Sequence, residues 1–347
     1  MNSMSHVDYT KKLRPYLPPE AFQPAWHKLV RLALHFAIIV SCYLTFRLTS
    51  SVLPNLLRAI VIGHSLVCIG FLSHELSHGA ILRHRMFRYP IEAFFWGMNF
   101  IPATMWRRVH NHTHHVHANT PLDPDRPFIA AEKSFTTKVY SKLFYPQRLA
   151  IRVNPLVIFH LSGYIARNTL ASFCSVRNKP RIVPACPRYS SSQRCNIVLE
   201  IGLILAWQAV VFHLVGNSWQ KWMWASVVSY VFTSGLVMAY IFTNHFLNPI
   251  AETHDPLAHT TSVVVPRWMD RLHQHFSLHT EHHLFPSLNS DYYPIVADAL
   301  RKEFPERYNV LPMAEAWRRL WRQNYFSPAI NSFAKATDKP GEPENIT

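Results

Sequence analysis

L-P-N-L-L-R-A-I-V-I-G-H-S-L-V-C-I-G-F-L-S-H-E-L-S-H, residues 53–78, is the stretch that decides the fold. Its mostly apolar part, 53–73, is about 20 residues long, enough for a helix to cross the hydrocarbon core of a bilayer. Pro54 falls at the start, where a first helical turn accepts proline. The helix then runs directly into His74-Glu75-Leu76-Ser77-His78. Two histidines four apart share one helical face. Imidazole is the commonest protein metal ligand, so the second half of this stretch asks for a metal at the membrane surface.

Working outward, a first span at 29–48 precedes it, and only the segment around Arg47–Arg58 separates the two. Further spans are expected at 196–216 and 222–243, joined through Gly216-Asn217-Ser218. The fold class is therefore all-α: a multi-pass membrane protein with four transmembrane helices in two hairpins. Two shorter apolar pieces, 91–106 and 155–173, read as interfacial or re-entrant helices. The chain reads as a single domain over 1–347, with 1–28 a polar N-terminal tail and 331–347 a disordered C-terminal tail.

Composition agrees. Hydrophobic residues make up 49% and charged residues 16% of the chain, and the net charge is +15. A basic chain with long apolar segments suits an anionic membrane face rather than nucleic acid. Only 9 glycines occur, with no Gly-rich phosphate loop, and the 5 cysteines form no CxxC pair, which fits a reducing compartment. Lys and Arg number 4 before the first span, 17 between the second and third, and 10 after the fourth. Only Arg31, Arg47, Arg58 and Lys221 lie in the spans and turns. The positive-inside rule thus puts both termini and the histidine clusters on the cytoplasmic side, in a bacterial inner membrane or endoplasmic reticulum.

Histidines number 22, five of them within 110–117. H-N-H-T-H-H at 110–115 and H-T-E-H-H at 279–283 follow the first cluster. His110 and His114 are four apart with His115 adjacent, although His112 and His115 offer another register. His279 and His283 are four apart with His282 beside them. Each box can present two or three rings to one point. Eight ligands exceed the three or four that one tetrahedral zinc needs, so two ions are the natural arithmetic. Neutral nitrogen ligands suit Fe, Zn, Cu or Ni. His245, just beyond the fourth span, stands at the depth His74 reaches beyond the second, which makes it a ninth candidate.

The three boxes resemble those of the membrane fatty-acid desaturases, whose pattern is HX3–4H, HX2–3HH and (H/Q)X2–3HH. The surrounding text is similar too, in HELSHGAILRHR, HNHTHHVHANTPLDPDRPF, TNHFLNP and FSLHTEHHLFPSLNSDYYPIV, over roughly residues 60–325. The resemblance implies four transmembrane helices under a cytosolic helical cap, with a di-iron centre at the junction. It favours His110 over His112, and it supports His245, because stearoyl-CoA desaturases carry an extra histidine ligand at the end of the fourth span. Their nearby asparagine lies about a turn away, whereas Asn244 adjoins His245, a departure from the pattern. The implied metal ligands are His74, His78, His110, His114, His115, His245, His279, His282 and His283.

The implied activity is O₂-dependent insertion of a double bond into a fatty acyl chain, carried by a membrane lipid or an acyl thioester. Two iron ions are the cofactor, O₂ the cosubstrate, and the oxygen leaves as water. No flavin, nicotinamide or haem motif is visible. Two electrons therefore come from an external carrier, a b-type cytochrome or a ferredoxin with its reductase, and no nucleic acid is involved. A lipid or carotenoid hydroxylase or ketolase would share the iron site. H-E-L-S-H is also the HExxH of zinc proteases, with Glu75 as base, but an intramembrane protease leaves the other two boxes unused.

The remaining candidates read more plainly. In the desaturase reading Glu75 orients a histidine N–H. His35, His64, His160 and His213 read as packing or pore-lining; His64 is ten residues, about 15 Å along a helix, from His74. His254, His259, His273 and His275 read as loop or surface, Asp123-Pro124-Asp125 as a capped turn, and Tyr292-Tyr293 as packing.

Overall fold

A computed structural model of the chain describes residues 5–120, 122–125, 160–174, 187–249, 251 and 255–322. These are mostly helical. In chain order the N-terminal helix is α1 (His6–Leu13), and four helices are long and apolar enough to cross a membrane. They are α2 (Lys28–Leu48), α3 (Val52–Ser77), α7 (Ser191–Leu214) and α8 (Trp219–His245). Between the second and third lie α4 (Arg85–Met98), α5 (Ala103–Val109), a π-helix (His110–His114), and α6 (His160–Cys174). Past the fourth come α9 (Pro256–His259), strand β1 (Ser262–Val264), α10 (Arg267–Leu272), α11 (His279–Leu284), α12 (Tyr293–Glu303), β2 (Val310–Pro312) and α13 (Met313–Arg322). The strands pair in parallel, Ser262 opposite Val310.

Helices α3 and α8 are the more buried of the four, and they pack on each other. Their crossing is close at Gly63, where a Cβ would stand 2.6 Å from the Ser229 carbonyl oxygen and 2.8 Å from Phe232 Cβ. Thr233 Oγ1 donates to the Gly63 carbonyl at 3.0 Å. Small residues at such crossings let backbones approach where lipid gives no hydrophobic drive. Arg47, in the last turn of α2, donates to the carbonyls of Leu214 (2.8 Å) and His213 (2.7 Å). It thereby satisfies the orphan carbonyls at the end of α7 and brings the α2–α3 and α7–α8 turns to one end of the molecule.

The apolar piece expected at 91–106 is two helices, broken after Met98, with Pro102 ahead of α5. Glu200 of α7 is buried and accepts from the Thr104 N–H (3.0 Å), Thr104 Oγ1 (2.6 Å) and Tyr89 (2.8 Å). A carboxylate in an apolar span thus anchors the first turn of α5, where an anion suits the helix dipole. Of the 155–173 piece, 155–159 lie outside the described residues, as do 323–347, which include the expected C-terminal tail.

The N-terminal segment is not a loose tail. Ser5 and Asp8 form a capping box on α1. Tyr9, Leu13, Leu17 and Ala21 are buried against Leu284, Leu288, Val296 and Leu300. Tyr9 and Leu13 are four apart on α1, one apolar edge in a polar context, and Leu17 and Ala21 follow beyond its end.

Candidate metal centre

Helix α3 carries His74 in its last turn, and His78 caps its end. From there the chain passes through α4 and α5 into the second box. Its five residues His110–His114 form a π-helix, and the His115 N–H reaches the His110 carbonyl. An i→i+5 bond widens the turn and brings residues five apart closer to one face, which is why single π-turns mark functional sites.

The nine expected histidines come together in two groups. In each, one ligand atom per residue lies within 4.8 Å of all the others. The first holds His74, His78, His110, His115 and His282; the second holds His114, His245, His279 and His283. The sequence reading sent each box to one point; the structure divides two of the three. His110 and His115 turn to the first group and His114 to the second, and in α11 His282 separates from His279 and His283. His112 is exposed and stands outside both groups.

In the first group His74 Nε2 approaches His110 Nε2 at 2.8 Å, His115 Nε2 approaches His110 Nε2 at 3.2 Å, and His282 Nε2 approaches His115 Nε2 at 3.0 Å. In the second His245 Nε2 and His279 Nε2 are 2.7 Å apart. Bonds of about 2.1 Å at right angles around one ion put nitrogens about 3 Å apart. His78 Nε2 is fully enclosed without a hydrogen-bond partner, an arrangement that costs free energy unless something else binds it. The donor set fits two cations of the later first row.

Several neighbours orient these rings. His114 Nδ1 faces Asp123 Oδ1 at 3.0 Å and Asp125 Oδ2 at 3.2 Å, which leaves Nε2 for the second group. Asp123 also accepts from the N–H groups of Asn119 (2.7 Å) and Asp125 (2.9 Å), so the expected capped turn and a ring-orienting carboxylate are the same residue. Burial works to raise Asp123, but His114 and these N–H groups hold it below the usual carboxylate value. Burial, aided by Asp123, raises Asp125.

His282 Nδ1 meets the Tyr293 hydroxyl at 3.1 Å, so Tyr293 does more than pack. Asn119, in the left-handed region at φ 54°, donates to the carbonyls of His245 (2.9 Å) and His259 (2.8 Å). It ties the end of the second box to the end of α8. Glu281 is fully buried, accepting from Ser262 (2.5 Å) and Tyr308, and burial pushes it up to about 7. His78, His110, His115, His279, His282 and His283 are all held well below the ordinary imidazole value, by burial first and by neighbouring histidines second. They are neutral, as metal binding requires.

Three plainer expectations change. Glu75 does not orient a histidine. Its carboxylate accepts from Lys28 Nζ (2.8 Å) and Ser290 Oγ (2.8 Å), because position 75 points about 100° round the helix from His74. Lys28 itself is fully buried. His259 and His273 are buried, not surface, residues. His254 lies outside the described residues. Aromatic rings close the centre: Trp106 stacks on His110 at 4.7 Å, and Phe276 sets its edge to His74 (5.4 Å) and His279 (5.3 Å).

A sequence model of the fatty acid desaturase family matches residues 51–315 of the chain. No curated protein matches it.

Proposed function

Since the chain belongs to the fatty acid desaturase family, we propose that it is an O₂-dependent desaturase that inserts a double bond into a fatty acyl chain. The observation that carries this reading is the division of nine histidines into a group of five and a group of four. In the proposal these hold two iron ions, which supply the O₂ activation and hydrogen removal that no side chain can perform.

The chain's own residues do the rest. Asp123 and Tyr293 hold Nδ1 of His114 and His282, so the other ring nitrogens face inward. Phe276 and Trp106 exclude water from the reacting carbons. The Lys28–Glu75 pair removes Glu75 from the role of a free base, which favours this reading over a zinc protease. We further propose that the four long helices form two hairpins under a cytosolic cap built from the N-terminal segment and residues 255–322. The excess of basic residues outside the turns supports that orientation. The same charge would steer an acidic electron carrier, a b-type cytochrome or a ferredoxin.

The test is expression in a host that supplies such a carrier, followed by gas chromatography–mass spectrometry of fatty acyl esters with double bonds located. A His282→Ala chain runs beside it. A new unsaturated acid, absent from that control, is expected. A new hydroxy acid would move the activity to the hydroxylase branch, and one zinc in place of two irons in the purified protein would sink the proposal.

A further inference from the structure

His64 and Cys68 lie four apart on one face of α3, well short of the first box. His273, directly after α10, meets them there. Its Nε2 is 3.2 Å from His64 Nε2, and the three ligand atoms of His64, Cys68 and His273 lie within 4.8 Å of one another. This cluster is separate from the centre described above. Phe71 and Phe276 stand between, their rings stacked at 4.1 Å and 14°. Phe71 sets its edge to His273 on one side, and Phe276 to His74 on the other.

We propose that His64, Cys68 and His273 form a third cation site, for a thiophilic ion of the zinc or copper(I) class. Two imidazoles and a thiolate are the donor types such ions select. With bonds of about 2.0–2.1 Å in a tetrahedral arrangement, two nitrogens stand about 3.3 Å apart, close to the separation found here. His273 also has the outer partner that ligating histidines have: its Nδ1 is 2.9 Å from the Tyr240 hydroxyl, and with the proton on Nδ1 that hydroxyl accepts it and Nε2 is left for the ion. An ion here pins the segment ahead of the third box to α3 and fixes Phe276 against His74 and His279. The bland alternative is a hydrogen bond between two neutral rings.

The experiment uses the purified full chain in detergent. Zinc is added and excess removed, and zinc and iron are counted by mass spectrometry. Cobalt(II) then serves as a spectroscopic probe. One zinc per chain beyond the iron is expected, with a sulfur-to-cobalt charge-transfer band. Cys68→Ser and His273→Gln are each expected to lose that zinc, and Cys68→Ser the band, with iron unchanged. No cysteine stands among the nine clustered histidines, so the thiolate band reads this site whether or not they hold iron. Absence of the band in the unsubstituted chain, or extra zinc that survives both substitutions, overturns the site. If a variant fails to fold, the band of the unsubstituted chain decides alone.

Discussion

His114 is four residues from His110, yet the two rings serve different groups. What aims His114 is its Nδ1 contact with Asp123 and Asp125. Removing the orienting charge in Asp123→Asn leaves the backbone turn largely in place and loosens the ring. Loss of such an outer partner typically weakens metal binding by about 10–100-fold. Iron retention against a graded chelator is expected to drop by that factor, and retention equal to the unsubstituted protein would count against the role. The rings also set a pH dependence. Burial keeps six of them, from His78 to His283, neutral where an unfolded chain would bind protons. A group whose folded value lies below its unfolded value of about 6.5 gives stability that is complete above that pH and declines below it. The metal-free protein is therefore expected to show a level Tm above about pH 6.5 and a falling one on acidification. A Tm that rises on acidification would mean that the cluster is protonated when folded.

At the scale of elements, α2 and α3 are joined by a buried ion pair at the end that carries the first box. Lys28 Nζ reaches Glu75 at 2.8 Å and Ser290 at 2.7 Å. Breaking a buried pair from one side strands the other charge, at about 3–5 kcal/mol, whereas replacing both partners by apolar groups is often neutral. Lys28→Met is thus expected to unfold earlier in denaturant than Lys28→Met/Glu75→Leu, and the reverse order would mean the pair is not coupled. The same helix meets α8 at Gly63, so Gly63→Leu is expected to separate them and lower Tm and iron content together; an unchanged Tm would show that the crossing can open. The four spans and most of the histidines were legible in the sequence because hydropathy and spacing are local; the choice of His110 over His112 needed the family resemblance, and His245 its depth beyond the fourth span together with that resemblance. The division of the boxes was not legible, since it depends on a π-turn at 110–114 and on α11 lying between both groups. Lys28–Glu75 and His282–Tyr293 were hidden for the same reason: each pairs residues whose neighbourhood only the assembled helices create. The α1 edge was legible in principle, but the segment's polar average masked Tyr9 and Leu13 at helical spacing.

Across the whole molecule, the proposed orientation joins two independent observations. Arg47 links the end of α2 to the end of α7, so the turns at 49–51 and 215–218 share one end. His74 and His245, at the far ends of α3 and α8, fall in the two adjoining groups at the other. The charge asymmetry supports the proposal that the histidine end faces the cytoplasm. Segments rich in Lys and Arg resist translocation, and in the sequence they lie before the first span, between the second and third, and after the fourth. An added cysteine at Ser50 or Asn217 is therefore expected to react with a membrane-impermeant thiol reagent applied to the non-cytoplasmic face of the membrane, above the background of the five native cysteines. One at Ser5 or Arg188 is expected to react only after the membrane is opened. The opposite pattern would put the histidines outside, away from any cytoplasmic electron carrier. It would then overturn the donor proposed here together with the topology, while leaving the metal groups themselves untouched.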